Sequence, residues 1–276
     1  MLFGDAATSL VIAVLFGSFA LLGLRYAFYV VCYERVRVHL RRRGPGYEAY
    51  VPVITEELWE GLGNSAILAL SSAALARGVT DACTPADTSG CLRGWPQHPA
   101  PLSLDGLFLL QIAWHGHCAA KAWVGLGRVQ GLDAAAHHAA TLAALGLAYW
   151  WGLLRIGVLA LWVFGAATPL LSASKILHCL YVRPAKKIVF VLFTAAYFAS
   201  RVLAVPLVLL PCTLRDVWET PLDARAAVAA NGFLLALYGL SLFWFGRLLG
   251  ILATGKLDAT PRMVVSVEAR RWQKQQ

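Results

Sequence analysis

Long apolar stretches separated by short polar segments make up most of the chain, and their lengths select the element. A helix crossing about 30 Å of hydrocarbon needs roughly 20 mostly apolar residues. Seven stretches approach that length, at about residues 6–32, 58–76, 104–120, 134–151, 156–177, 188–210 and 226–253. The third is short and contains His115 and His117, so a buried or re-entrant piece is the alternative, with a count of six. The expectation is an all-α polytopic membrane protein of about seven transmembrane helices.

The placement of Lys and Arg orients those helices, because positive charge beside helix ends stays on the cytoplasmic face or its organellar equivalent. One face receives Arg35, Arg37, Arg41, Arg42, Arg43, Lys121, Arg128, Lys175, Arg183, Lys186, Lys187, Lys256, Arg262, Arg270, Arg271 and Lys274. The other receives only Arg77, Arg93, Arg155, Arg215 and Arg225. The N-terminus is therefore expected outside and the C-terminus on the cytoplasmic or matrix side. The first stretch has no basic segment before it, carries Asp5 and exceeds the apolar core of a signal peptide, so it reads as a retained helix.

Composition agrees with a lipid-facing surface and excludes a soluble domain. Hydrophobic residues make up 59% of the 276 positions and charged residues 14%, with a mean hydropathy of +0.62, whereas ordinary domains carry about 25% charged residues. The formal charge of +9 is what juxtamembrane cations facing anionic headgroups produce. No Gly-rich phosphate loop and no basic run interleaved with aromatics points to nucleic acid. Expected partners are membrane lipids and other membrane-protein subunits. Cys83 and Cys91 share an outer, turn-rich loop and are able to form a disulfide where that face is oxidising, with two free thiols as the equal alternative.

Ionisable residues inside a bilayer cost at least about 2.5 kcal/mol each on insertion scales, so those that persist are the candidates for chemistry. They are Arg201, Arg247, His115, His117, His137, His138 and, near the edge, Lys121. Adjacent His137 and His138 follow Asp133 at the entrance of the fourth stretch, and imidazole there is suited to general-base or nucleophilic work. The plainer reading is that both line the bundle through hydrogen bonds. No metal is expected, since residues two apart on a helix point about 200° from each other and His115-Gly-His117 is no chelate there. Catalysis by histidine also needs an orienting partner, yet no Asp or Glu occurs between Asp133 and Asp216. The nearest acids are Glu56, Glu57 and Glu60 at the inner end of the second stretch, where a helix N-terminus also favours them.

The ordered residues His137-His138-Ala-Ala-Thr141, Tyr149, Arg155-Ile156-Gly157 and Ser174-Lys175 resemble the core of the TLC-domain family, which includes the ceramide synthases. Gln111 and Trp114 precede the pair as in that family, YFASRVLAVP with Phe198, Arg201 and Pro206 resembles its FxxRxxxxP helix, and Trp244 with Arg247 resembles its last helix. Glu57 and Trp59 resemble its early ExxW segment. The resemblance covers about residues 54–253 and implies a TLC-like bundle. Residues 1–53 then hold the first helix and a basic loop, and 254–276 a basic tail. For ceramide synthases it implies acyl transfer from acyl-CoA to a sphingoid amine by the His pair and an acidic LHDxSD motif. At the motif's positions this chain has Phe164, Gly165, Thr168 and Ser172, and Ala167-Thr168-Pro169 is similar to the STP element of other TLC-domain proteins.

Two readings follow. The absence of core acids favours a non-catalytic TLC-like protein that binds lipid or serves as a structural subunit of a larger membrane complex, with Arg201, Arg155, Lys175 and Arg247 as lipid or partner contacts. The alternative is an acyl-CoA-dependent N-acyltransferase using His137 and His138 with Glu56, Glu57 or Glu60. No cofactor is expected; acyl-CoA enters only as a substrate of the alternative. A transporter is disfavoured, since no inverted repeat is evident. The membrane is expected to be the endoplasmic reticulum or an organelle inner membrane.

Overall fold

The computed structural model describes residues 2–97, 101–128, 131–255 and 257, and their side chains from Val11 onward except that of Pro45. The expected C-terminal tail lies outside them but for its first residues. The described segments are helical: α1 (Leu2–Arg41), α2 (Val51–Ala76), α3 (Leu102–Ala120), α4 (Leu132–Trp150), α5 (Leu154–Gly165), α6 (Thr168–Cys179), α7 (Arg183–Tyr197), α8 (Leu210–Leu214) and α9 (Ala224–Thr254). Four runs among them, Val11–Arg41, Leu154–Cys179, Arg183–Glu219 and Ala224–Thr254, are long and apolar enough to cross a membrane. The protein is an all-α polytopic membrane protein.

The helices close a ring. α2 packs on α6, α6 on α7, α7 and the π-helical turns after it on α9, α9 on α4, and α4 on α3, which meets α2 again. α1 lies outside this ring against α2 and α3. Its outward residues Val11, Ile12, Phe16 and Phe19 are exposed, as a lipid-facing stripe requires. The third stretch, the one short enough to be re-entrant, forms a regular helix with Leu104, Phe108 and Ile112 buried.

Two breaks shape the interior. The fifth stretch is interrupted at Ala166–Ala167 ahead of Pro169, giving α5 and α6 instead of one helix. The sixth widens into π-helical turns at Phe198–Leu203 and Val205–Leu209 around Pro206. The carbonyl of Val202, four residues before Pro206, accepts from the Tyr238 hydroxyl of α9 at 3.4 Å. Glycine permits two close approaches. A Cβ on Gly63 of α2 would sit 1.9 Å from the Trp114 ring, and one on Gly157 of α5 would sit 2.1 Å from Phe108.

Beyond the ring, Cys83 and Cys91 are joined by a disulfide in the loop between α2 and α3. Arg155 is not turned toward lipid. Its buried guanidinium donates to Asp81 Oδ2 at 3.3 Å and to the Gly90 carbonyl at 3.2 Å, holding that loop onto α5. The basic segment after α1 is partly folded back, with Arg41 paired to Glu48 and Arg43 donating to the Leu180 carbonyl at 3.3 Å.

Candidate functional site

The ring encloses a cavity of about 720 Å³, lined by α2 to α9 and by none of α1. Its lining along α9 runs from Ala227 to Ile251, about 36 Å at 1.5 Å per residue, comparable with the hydrocarbon thickness. The two ends differ. Toward the disulfide loop the walls are Leu92, Ala148, Leu153, Ile156, Leu222 and Leu234. Toward the opposite end they are Asp133, His137, His138, Lys175, Trp244 and Arg247.

Helix periodicity and the α3–α4 contact bring the histidines together. His115 and His138 meet with their Nδ1 atoms 3.4 Å apart, and the His137 ring lies 5.5 Å from that of His138 and 6.3 Å from that of His115. Trp244 of α9 closes on His137 edge-on at 5.2 Å and donates its indole N–H to Asp133 Oδ2 at 2.9 Å. Arg247 donates to the same oxygen at 3.3 Å. His117 is on the other side of α3. It is fully buried, its Nδ1 2.5 Å from the Trp114 carbonyl and its Nε2 accepting from Trp59 at 3.1 Å.

The three glutamates are committed elsewhere. Glu60 reaches the cavity wall, but its Oε1 accepts from Lys121 at 2.8 Å and from Arg25 at 2.9 Å. Glu56 accepts from Lys121 at 2.8 Å and from Arg128 at 2.7 Å. Glu57 pairs with Arg128 and, at 2.9 Å, with Lys175. Glu56 and Glu57 do not line the cavity. They are buried acids held by cations, Arg25 and Lys121 buried and Arg128 and Lys175 partly exposed, rather than isolated acids at a helix start. Sequence reasoning passed over Arg25 and Arg128 in this role, although a Glu at 56 and another at 60 share one helix face and demanded cationic partners.

Arg201, aimed into the cavity from a π-helical turn, has a different set of neighbours. One terminal nitrogen donates to the Phe164 carbonyl at the broken end of α5 and approaches Thr168 Oγ1 at 3.4 Å. Its guanidinium lies 4.9 Å from the Tyr197 ring centre. Its Nε is buried with no hydrogen-bond partner. Among the described residues no group of three His, Cys, Asp or Glu is arranged to hold a metal ion.

Comparison with known proteins places these residues in context. Residues 59–250 match the TLC domain. Ceramide synthase 5 of Homo sapiens is 23% identical over 158 residues, covering 57% of this chain and 40% of its own length. Ceramide synthase 5 of Mus musculus is 28% identical over 160 residues, covering 57% of this chain and 38% of its own. The chain spans about two fifths of the length of these relatives.

Proposed function

The chain belongs to the TLC-domain family, and from that premise we propose that it is a membrane protein that binds lipid in the histidine-lined cavity without transforming it, within a larger membrane assembly. The observation that carries this reading is the state of the carboxylates. Asp133 and Glu60 are the acids on the described cavity wall, and both are engaged, one by Trp244 and Arg247, the other by Arg25 and Lys121. A catalytic histidine without its orienting acid loses about 10⁴ in rate. The walls suit an amphiphile, with the hydrocarbon tail toward Leu92 and Leu222 and the headgroup toward His137 and Trp244. Each buried methylene contributes about 0.8 kcal/mol, so a chain of ten carbons offers affinity without any covalent step.

The assembly belongs to the endoplasmic reticulum or an organelle inner membrane, with seven crossings and the N-terminus outside. No cofactor takes part. Native mass measurement after mild detergent extraction, with lipid analysis of the same particle, tests the reading. It predicts a complex several times larger than the 29.9 kDa chain, carrying about one retained lipid per copy. A lipid-free monomer or dimer would overturn it.

A second reading is favoured by the convergence of three imidazoles on the cavity, with Asp133 one turn before His137. In it the protein transfers the acyl group of an acyl-CoA thioester to a sphingoid amine, releasing the thiol, with His137 or His138 removing the amine proton. It requires Asp133 to leave Trp244 and turn to His137.

A further inference from the structure

A lipid held in this cavity meets one cation with no acid opposite it. Lys175 is paired with Glu57 and Arg247 with Asp133. Arg201, the third cation on the wall, has no carboxylate within ion-pair distance among the described residues, and its neighbours are a carbonyl, a hydroxyl and aromatic rings. Guanidinium has five N–H donors in a planar fork and stays charged. Its polar contacts, to the Phe164 carbonyl, to the Thr168 hydroxyl at the 3.4 Å margin and to the Tyr197 side chain, are all to groups other than a carboxylate, and the buried Nε donates to nothing. Such a group in a low-dielectric interior is costly unless something supplies an anion.

The position of Arg201 is as informative as its pairing. It enters beside the α5–α6 break, where the lining changes character. Leu161, Leu145 and Leu234 lie toward the disulfide end, and His137, Thr168 and Trp244 lie toward the polar end. A headgroup at Arg201 therefore has an apolar half-cavity for its tail. The whole cavity, at about 720 Å³, is within the range of roughly 300–1,000 Å³ that encloses one small ligand, which favours a single chain.

We propose that the cavity selects single-chain lipids whose headgroup is an oxyanion, a carboxylate or a phosphate monoester, bound by the free edge of Arg201. The proposal rests on the lipid-binding reading above and names the class of lipid. The Phe164 carbonyl and the Tyr197 ring fix the guanidinium plane, so the terminal N–H groups left over are the ones offered to the ligand, while the buried, unpartnered Nε adds to the cost of leaving the guanidinium without an anion. His137 and Thr168 flank the same space as neutral hydrogen-bonding groups.

The test is competition against radiolabelled palmitate on the full chain in nanodiscs, using unlabelled palmitate, hexadecyl phosphate and hexadecanol. Hydrogen bonds to a charged group are worth a factor of about 10 to 100. Wild type is expected to prefer the anionic probes over hexadecanol by at least about tenfold. Arg201→Gln should abolish that preference while leaving hexadecanol affinity nearly unchanged, and Arg201→Lys should keep part of it. Stronger displacement by unlabelled palmitate than by hexadecyl phosphate assigns a carboxylate, the reverse order a phosphate, and either supports the proposal. Equal binding of hexadecanol and the anions to wild type overturns it, even if Arg201→Gln does not fold. Equal loss of all three probes in a folded Arg201→Gln protein overturns it as well. Failure of wild type to bind any probe removes the lipid-binding reading itself.

Discussion

Two charged regions of this protein stand side by side in the same bundle, and they are built on opposite rules. Where the middle of α1, the start of α2 and the end of α3 meet, Glu56, Glu57 and Glu60 face Arg25, Lys121, Arg128 and Lys175 in a continuous network in which every carboxylate has at least two cationic donors. Across the cavity, His115, His137, His138 and Arg201 face one another with no free acid among them. The first arrangement pairs every acid with cations within the protein and acts as a staple. The second lines a cavity with imidazoles and with a guanidinium that no carboxylate pairs among the described residues, which is how a binding site differs from a support.

The largest test of that contrast is to break the staple. Glu60→Ala leaves Lys121 and Arg25 short of a counter-charge in a buried setting, and should cost about 3–5 kcal/mol of stability in unfolding measured in mixed micelles. Replacing Glu60 and Lys121 together by leucine should cost clearly less than the single change, because no excess charge is left stranded. Equal losses would mean that packing alone holds these helices.

Opening the Cys83–Cys91 bridge by a double change to serine should cost about 2–3 kcal/mol, the chain-entropy value for a loop of that size, given a separation of 8 residues. It should also loosen the apolar end of the cavity, because Leu92 beside the bridge lines that wall. Smaller still is Gly63→Ala, whose Cβ would collide with the Trp114 ring. Overpacking of this kind costs about 1–3 kcal/mol, and thermal unfolding of the variant against wild type checks it. The smallest effect on the fold belongs to the cavity. His137 is partly buried on the cavity wall and touches Trp244 by ring contact only, so His137→Ala should shift stability by less than about 1 kcal/mol while changing the lipid recovered with the protein.

Much of the bundle was legible in the apolar pattern, since stretch lengths near 20 residues and the intervening cations locate its helices. The fine structure was not. The first helix runs on to Arg41, well past the apolar stretch ending near residue 32, because Tyr33, Val36 and Leu40 pack on Val51 and Ile54. The π-helical turns that aim Arg201 inward carry no composition signal beyond Pro206. At the site, the His pair and Arg201 announced themselves as ionisable groups in an apolar run. Arg155, expected against lipid or a partner, is turned into the disulfide loop, a destination that depends on which loop folds over α5. The glutamates' pairing with α1 and with the α3–α4 loop is a property of the tertiary fold and only their need for partners could be read from the chain.

The most direct test of a cavity that holds lipid without transforming it is incubation of the purified protein with palmitoyl-CoA and sphinganine, with product analysis by mass spectrometry and His137→Ala in parallel. The account predicts that both proteins form no N-acyl amide above the protein-free rate while wild type retains its lipid. Amide formation by wild type that disappears in His137→Ala would contradict it.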